Sequence, residues 1–447
     1  GMRTRWVALA GACLVAAGFA ACAPPASAQV EGTTNPIALE NQRPGDSGWR
    51  LRWAAAPGEL EAYAGAASVA AGEAIAIHVR ADAERAARWR LYRMGWYGGA
   101  EGRLVASGGP VPVGPRPVPA PDPITGLVAC DWPVTFTIPT DPAWTTGIYL
   151  LKLVREDGPE TWATFVVRDD RRKGAAVYQQ PVTTYQAYNP YGGTSLYVGG
   201  GKEASFDRPY AEGRGAGQYF RYEHDFVKWA ESRGLDLVYV TSLDLERDPS
   251  LLLGQRLFLS VGHDEYWSRP MREALEAAIA SGVSVAFFSA NSVYWQVRLE
   301  PSRTTGAPAR TLVGWKKDAR TRDPLRGTPL ETSQWRQLGE PENALLGVMY
   351  ATWQIADAPW VVRNADAWVY EGTGLAEGDT LPLLVGYESD RTWNNGAAPP
   401  GLTVLSRSPV IGTDGRPDRH EAVTYETAAG GFVLAVGTIQ WSWGLSR

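Results

Sequence analysis

Arg256-Leu-Phe-Leu-Ser-Val-Gly-His-Asp-Glu-Tyr-Trp267 is the stretch on which the fold turns. Its apolar run, residues 257–261, reads as a buried strand that stops at Gly262. Three ionisable residues follow at once, His263, Asp264 and Glu265. A helix start comes next, with Ser268 as N-cap and Pro270 in the first turn. In open α/β sheets, ligands bind beyond the carboxyl ends of the strands. A histidine and a carboxylate two residues apart at such an end can face one cleft, so this segment is the first candidate for chemistry. The bland alternative is a turn histidine beside a capping acid.

The pattern on either side of this stretch is α/β. Residues 175–178 read as a strand and 222–233 as a helix, with Phe226, Trp229 and Ala230 on one face and Gly234 at its end. Residues 235–241 read as a strand, 269–280 as a second helix closed by Gly282, and 283–288 as the next strand. Strands and helices alternating at this spacing predict a mostly parallel sheet covered on both faces. Residues 300–447 hold long loops and late strands, such as 433–440, that would extend the sheet. Upstream the pattern changes. Residues 74–80 and 87–93 alternate with period two, and 134–138, 147–154 and 161–167 follow with no helical stretch among them. That is a β-sandwich signature, with residues 109–123 as a Pro-rich loop. The expected organisation is a signal peptide over 1–28, an extended lead-in over 29–59, a β-sandwich domain over 60–169 and an α/β domain over 170–447 that carries the site.

A chain of 447 residues, 45% hydrophobic and 20% charged, is long enough for two well-cored domains. A net charge of -5 leaves no electrostatic footprint for nucleic acid. Arg3 and Arg5 precede an apolar run to Ala21, and Ala26-Ser-Ala28 suits signal-peptidase cleavage. The alternative is a lipid anchor at Cys22, where Phe19-Ala-Ala-Cys22 loosely follows a lipobox. Both imply export, to the periplasm or beyond, as a secreted protein or a lipoprotein. Only Cys13, Cys22 and Cys130 occur, too few for a thiolate zinc site. Cys130 reads as a buried small residue. A homo-oligomer stays open.

Four strand ends carry polar or aromatic residues that could share one rim. They are residues 183–193, His263 with Glu265, Ser289-Ala-Asn-Ser292, and Arg419-His-Glu421. Gly192-Gly193 matches neither a dinucleotide nor a phosphate-loop pattern. No Gly-x-Ser-x-Gly elbow occurs, which argues against an α/β-hydrolase serine. Tyr185, Tyr188, Tyr191, Tyr197 and Tyr210 lie close together in sequence. Phenolates beside a carboxylate form a hard anionic donor set, which suits Fe3+. Four histidines in all argue against a His-rich zinc site. Asn291 could orient a substrate carbonyl or a water, and Lys316 and Lys317 could lend charge. Nineteen tryptophans leave room for a saccharide-binding surface.

Asn35-Pro-Ile-Ala-Leu-Glu40, Tyr92-Arg-Met-Gly-Trp-Tyr-Gly-Gly99, Thr184-Tyr-Gln-Ala-Tyr-Asn-Pro-Tyr-Gly-Gly193, Ser205-Phe-Asp-Arg-Pro-Tyr210, Gly262-His-Asp-Glu-Tyr-Trp267 and Phe287-Phe-Ser-Ala-Asn291 together resemble, in order, the large-subunit family of N,N-dimethylformamidase. The resemblance implies a β-sandwich followed by a glutamine-amidotransferase-like α/β domain. It also implies a mononuclear ferric site of two tyrosines and one glutamate that hydrolyses a small linear amide. Glu265 matches the glutamate ligand, His263 a neighbouring histidine and Asn291 a pocket asparagine. Tyr188 is the first choice among the tyrosines. Tyr210 is put second, in competition with Tyr149 and Tyr197. In the implied reaction Fe3+ activates water, and His263 or Glu421 moves protons to the leaving amine. The chain departs from the family in being exported and shorter, with no small partner subunit in view. The rival reading is a non-catalytic exported binding protein for saccharide or cell-wall fragments.

Overall fold

The computed structural model describes residues 35–445. The expected signal peptide, Cys13 and Cys22 lie outside the described residues. The fold is β-rich, with several sheets and few helices.

Two sheets stack in the first part of the chain. One has the order Ser68–Ala70, Glu160–Arg168, Gly147–Arg155, Arg85–Met94, Gly102–Val113, and the other Leu60–Ala64, Ala74–Ala81, Phe136–Pro139. Strand Ala74–Ala81 keeps the simple alternation, with Ile75, Ile77, Val79 and Ala81 turned into the core. Strand Gly147–Arg155 does not alternate, because both of its faces are covered. Tyr149, Leu151 and Leu153 face the sandwich core, while Ile148 and Leu150 join a second apolar cluster with Tyr92, Met94, Phe226, Trp229 and Ala230. Helix His224–Ser232 thus roofs the outer face of the five-stranded sheet.

A fully buried ion pair crosses that apolar contact. Arg93 Nη1 and Nη2 donate to the two Glu231 oxygens at 2.8 and 2.9 Å. The remaining guanidinium hydrogens meet Thr146 O and Tyr97 Oη, so the cation is fully bonded. Removing one partner from such a pair costs about 3–5 kcal/mol.

Two expectations for the first part are corrected. The described part of the lead-in is not simply extended. Asn35 caps a short helix, Pro36–Glu40, by accepting from Ala38 N at 3.0 Å. Its Nδ2 donates to Gly234 O at 2.8 Å, and Ile37 is buried in the shared cluster. Burial of Ile37 thus outweighs the local Pro and Gly signals. The Pro-rich loop also starts later than expected, because strand Gly102–Val113 runs through its first residues.

A seven-stranded sheet forms the second part. Its order is Leu237–Thr241, Ala176–Gln180, Leu257–His263, Ser284–Ala290, Phe432–Ala435, Pro417–Glu426, Thr403–Ile411. The first five strands are parallel, Pro417–Glu426 runs antiparallel to them, and Thr403–Ile411 pairs antiparallel with it. Successive side chains sort to opposite faces as a period of two requires. Tyr178, Leu259 and Phe288 pack with helix His224–Ser232. Val177, Phe258, Val285 and Phe287 pack against Met271, Ala274, Leu275 and Ala278 of helix Arg269–Ala280. The first of these helices is preceded by a π-helical turn, Tyr219–Glu223. The late strand expected over 433–440 is shorter, Phe432–Ala435. Much of the remaining late chain forms two small antiparallel pairs, Met349–Trp353 with Glu388–Arg391 and Ala358–Val361 with Thr380–Val385. Among the described residues no helix is long and apolar enough to cross a membrane.

Candidate functional site

The site is built from the carboxyl end of strand Leu257–His263. The strand does not stop at Gly262 but passes through it. Gly262 has φ +82°, and a Cβ there would lie 2.3 Å from Tyr222 Cβ. Only glycine can take this conformation so close to Tyr222, which explains the residue before His263. Asp264 is a structural knot. It accepts from Ser260 Oγ at 2.6 Å, Gln179 Nε2 at 3.1 Å and Trp267 Nε1 at 2.9 Å, and burial pushes its carboxyl up to about 6. Ser268 caps the following helix as expected, accepting from Met271 N.

Backbone bonds then fix Glu265. Its N–H donates to Thr184 Oγ1 at 3.0 Å, which ties it to helix Val182–Tyr188. Its carbonyl accepts from Tyr294 N and Trp295 N at 2.8 and 3.1 Å. Asn291 and Val293 adopt φ of +52° and +51° in the adjoining turn. A β-branched residue in that region is strained and persists only where its surroundings over-determine it. Val293 N donates to Asp264 O at 3.0 Å and Asn291 N to Asp390 Oδ1 at 2.8 Å, so the turn is held from two sides.

Four oxygen contacts form a network around Glu265, two of them ending on its carboxylate. Tyr188 Oη donates to Glu265 Oε2 at 2.5 Å. Tyr197 Oη lies 2.9 Å from Glu265 Oε1 and 2.8 Å from Tyr188 Oη, and Tyr266 Oη donates to Tyr197 Oη at 2.6 Å. Three phenols bring three protons to these four contacts, so one contact has no proton between its oxygens. Burial alone would raise the Glu265 pKa. The nearness and charge of His263, the charge of Lys316 and the Tyr188 hydroxyl outweigh it, and the carboxyl ends below its ordinary value. Burial and the Glu265 charge hold the Tyr188 and Tyr197 pKa values far above that of a free phenol. Lys316 Nζ sits 3.4 Å from the Tyr197 ring centroid, and burial pulls it down to about 8. Tyr197 is 47% exposed, so the cluster opens to solvent on its side.

A second carboxylate faces the first across His263. His263 Nε2 is 3.1 Å from Glu265 Oε2 and 3.7 Å from Glu388 Oε2. Neither contact aligns as a hydrogen bond, and both ring nitrogens are buried without a partner in the described structure. Burial would lower the His263 pKa, but Glu265, Glu388 and Asp264 outweigh it and the net shift is upward. Burial, opposed by His263 and helped by Glu265, pushes Glu388 up to about 7. Asn291 Nδ2 donates to Glu388 Oε2 at 3.2 Å, while Asn291 Oδ1 is buried and unpartnered in the described structure.

The fold therefore brings together His263, Glu265, Tyr188 and Asn291, but not every expected residue. Tyr197, not Tyr210, joins Tyr188 on Glu265. Tyr210 packs edge-on against Tyr185, with ring centroids 5.7 Å apart, and among the described residues makes no hydrogen bond to Glu265. Tyr149 lies in the sandwich core and donates to Thr145 O at 2.6 Å. Glu421 is committed to Thr392, Arg407 and Arg419, and His420 Nε2 to Val436 O. Both sit mid-strand in antiparallel Pro417–Glu426, beside residues 436–437 just past the carboxyl end of Phe432–Ala435, but these bonds hold their side chains away from Glu265. Glu388 was missed, and of the two lysines that could lend charge Lys316 reaches the cluster. The tryptophans form no platform: among the described residues only Trp53 and Trp353 are exposed.

Comparison with known proteins agrees with the family expected from the motifs. A comparison with curated proteins found no match. One solved structure it is similar to is the cycloisomaltooligosaccharide glucanotransferase of Paenibacillus sp. complexed with cycloisomaltoheptaose, at 10% identity and a TM-score of 0.19. That match covers 57% of this chain and 34% of the other, so the chain spans about a third of that structure's length, and a likeness this weak carries no argument. The family described as N,N-dimethylformamidase beta subunit-like, C-terminal, matches residues 88–447. Most of the described fold, and every residue of the cluster around Glu265, falls within that match, and the chain belongs to this family.

Proposed function

We propose that this chain is an exported, ferric-ion-dependent hydrolase of a small linear amide, with Tyr188, Tyr197 and Glu265 as the metal ligands. The observation that carries the reading is the oxygen cluster with one proton too few for its contacts. A cation seated among those oxygens would replace the missing proton. Two phenolates and one carboxylate supply three negative charges and only hard donors, which fits a hard trivalent ion. The high phenol pKa values are those of the cluster without a cation, and a neighbouring cation favours the phenolates. Lys316 beside Tyr197 acts in the same direction. When bound, a ferric ion polarises an amide carbonyl and acidifies water.

The remaining steps belong to the protein's own groups. Glu388, pushed up to about 7, is poised to take a proton at Oε2 and return it to the leaving amine. It assumes the role the sequence suggested for Glu421. His263 lies between Glu265 and Glu388 and stabilises their charge. Asn291 Nδ2 orients Glu388, and its free Oδ1 is the acceptor for a substrate N–H.

Three wider proposals accompany this one. Residues 170–447 are glutamine-amidotransferase-like, supported by five parallel strands with the cluster at a carboxyl end. Residues 60–169 form a separate domain, supported by their own apolar core. Export rests on the basic and apolar pattern of residues 1–28. The test of the main reading is to load the purified protein with ferric ion and assay short linear amides. One ion per chain, a tyrosinate charge-transfer colour and amide hydrolysis are expected. A colourless protein that takes up no iron contradicts the reading.

A further inference from the structure

The segment Ser205-Phe-Asp-Arg-Pro-Tyr210 takes no part in the chemistry above, yet it contains a buried cation. Arg208 is 1% exposed. Its guanidinium bonds all go to one stretch of chain. Nε donates to Gln186 Oε1 at 3.0 Å, Nη1 to Tyr191 O at 2.6 Å and Thr194 O at 2.9 Å, and Nη2 to Asn189 O at 2.7 Å. Among the described residues it forms no ion pair, and burial pulls its pKa down to about 10. A buried charge is tolerated only when its hydrogen-bonding groups are met. With no carboxylate to neutralise it, this guanidinium relies on four oxygen dipoles aimed inward. That requirement forces residues 186–194 into a single wrapped course.

Tyr188 lies within that course, and Tyr197 follows its end by three residues. Asn189 locks it further. Its Nδ2 donates to Pro209 O at 2.8 Å, and its Oδ1 accepts from Tyr191 N at 3.2 Å and Ala211 N at 2.9 Å. The two tyrosine- and arginine-bearing motifs of the sequence thus interlock behind the phenols.

We propose that Arg208 is a positioning residue: by holding residues 186–194 wrapped around its guanidinium, it makes the Tyr188 and Tyr197 hydroxyls meet over Glu265. The inference deepens the reading of that triad but concerns its geometry alone and does not need the cation. Its action is open to chemical test, because Arg208 also lines a crevice with Tyr63, Phe206, Tyr210 and Arg310, beside the space that Arg208→Ala would vacate.

The experiment uses the full chain with Arg208→Ala and Arg208→Lys, and follows amide hydrogen exchange in residues 186–197 and in the parallel strands. In Arg208→Ala, exchange over 186–197 should quicken about tenfold or more while the strands keep their protection. Millimolar guanidinium should restore the loop, and potassium chloride of equal ionic strength should not. Arg208→Lys should be intermediate. Wild-type protection of 186–197 in Arg208→Ala overturns the proposal. So does joint loss in loop and strands in both variants with no response to guanidinium, which would make Arg208 an ordinary core residue. Ferric titration of the wild type is run beside it: failure there with the expected exchange result overturns the cation reading and leaves the positioning role standing.

Discussion

Two clusters in this molecule have the same composition, one glutamate and two tyrosines, and differ in everything around them. Glu265 sits with Tyr188 and Tyr197 at a strand end, beside His263 and Lys316, with Tyr197 open to solvent. Glu223 sits with Tyr178 and Tyr185 in the interior, and each phenol donates to its own carboxyl oxygen. Glu223, Tyr178 and Tyr185 are all buried. Burial drives the Glu223 pKa well above its ordinary value, and the nearest charge that matters is another acid, Asp264. Glu265 is driven the other way by two cations. In the sealed cluster each of the two contacts has its own phenol proton. In the open one Tyr266 adds a third phenol, and three phenol protons serve four contacts. Residue types alone do not mark a candidate metal centre; neighbouring cations, an unmet contact and an exposed edge distinguish the two.

The largest expected effect comes from exchanging the carboxyls. Glu265→Gln keeps size and hydrogen-bonding capacity but removes a third of the ligand charge, so it should abolish ferric binding and amide hydrolysis while the melting temperature changes little. Glu223→Gln should leave both functions intact. Iron content, activity and melting on the same preparations decide the matter. Equal losses in the two variants would erase the distinction between the clusters.

Removing single hydroxyls sharpens it further. Tyr188→Phe and Tyr197→Phe should each remove the charge-transfer colour. Tyr178→Phe should keep the colour and lower stability by about 1–3 kcal/mol, since it leaves a buried carboxyl oxygen without its donor. Denaturant unfolding with absorbance detection reads both quantities.

The smallest effect is a slope. The folded pKa of Glu223 is raised, so the folded state keeps its proton where the unfolded chain has lost it. The stability contributed by this group is complete below the ordinary glutamate value and falls as pH rises toward the folded value. Glu223→Gln removes that fall. Relative to wild type it should therefore gain stability with rising pH, by at most about 1.4 kcal/mol per unit for one proton. Unfolding of the two proteins from pH 4 upward, about the ordinary carboxylate range, measures the difference; parallel curves would mean that Glu223 ionises normally.

The open cluster was partly legible in the sequence. The apolar run ending at His263, the cap at Ser268 and the helix that follows are local patterns, and they placed His263 and Glu265 at a parallel strand end. Tyr188 lies not at the end of strand Ala176–Gln180 itself but at the end of helix Val182–Tyr188 that follows it. The sequence reading puts Tyr210 ahead of Tyr197, whereas Tyr197 reaches Glu265, because the loop between Tyr188 and Tyr197 wraps Arg208, a contact that no periodicity announces. Glu388 was hidden for another reason. It reaches Asn291 across 97 residues of chain, from a short strand with no distinguishing pattern. Lys316 depends on a backbone turn at φ +56° that aims it at Tyr197. In the sandwich, period-two patterning succeeded for Ala74–Ala81. It was silent about Gly147–Arg155, where a helix from the other half of the chain covers the second face.

The central claim is that a ferric ion binds at Glu265 with Tyr188 and Tyr197, and nowhere else in the chain. Its most direct test is an anomalous difference map, recorded at the iron edge from crystals of ferric-loaded protein. The account predicts one peak at bonding distance from Tyr188 Oη, Tyr197 Oη and a Glu265 oxygen, with none at Glu223. No peak at Glu265 after loading, or a peak at Glu223 instead, would contradict it.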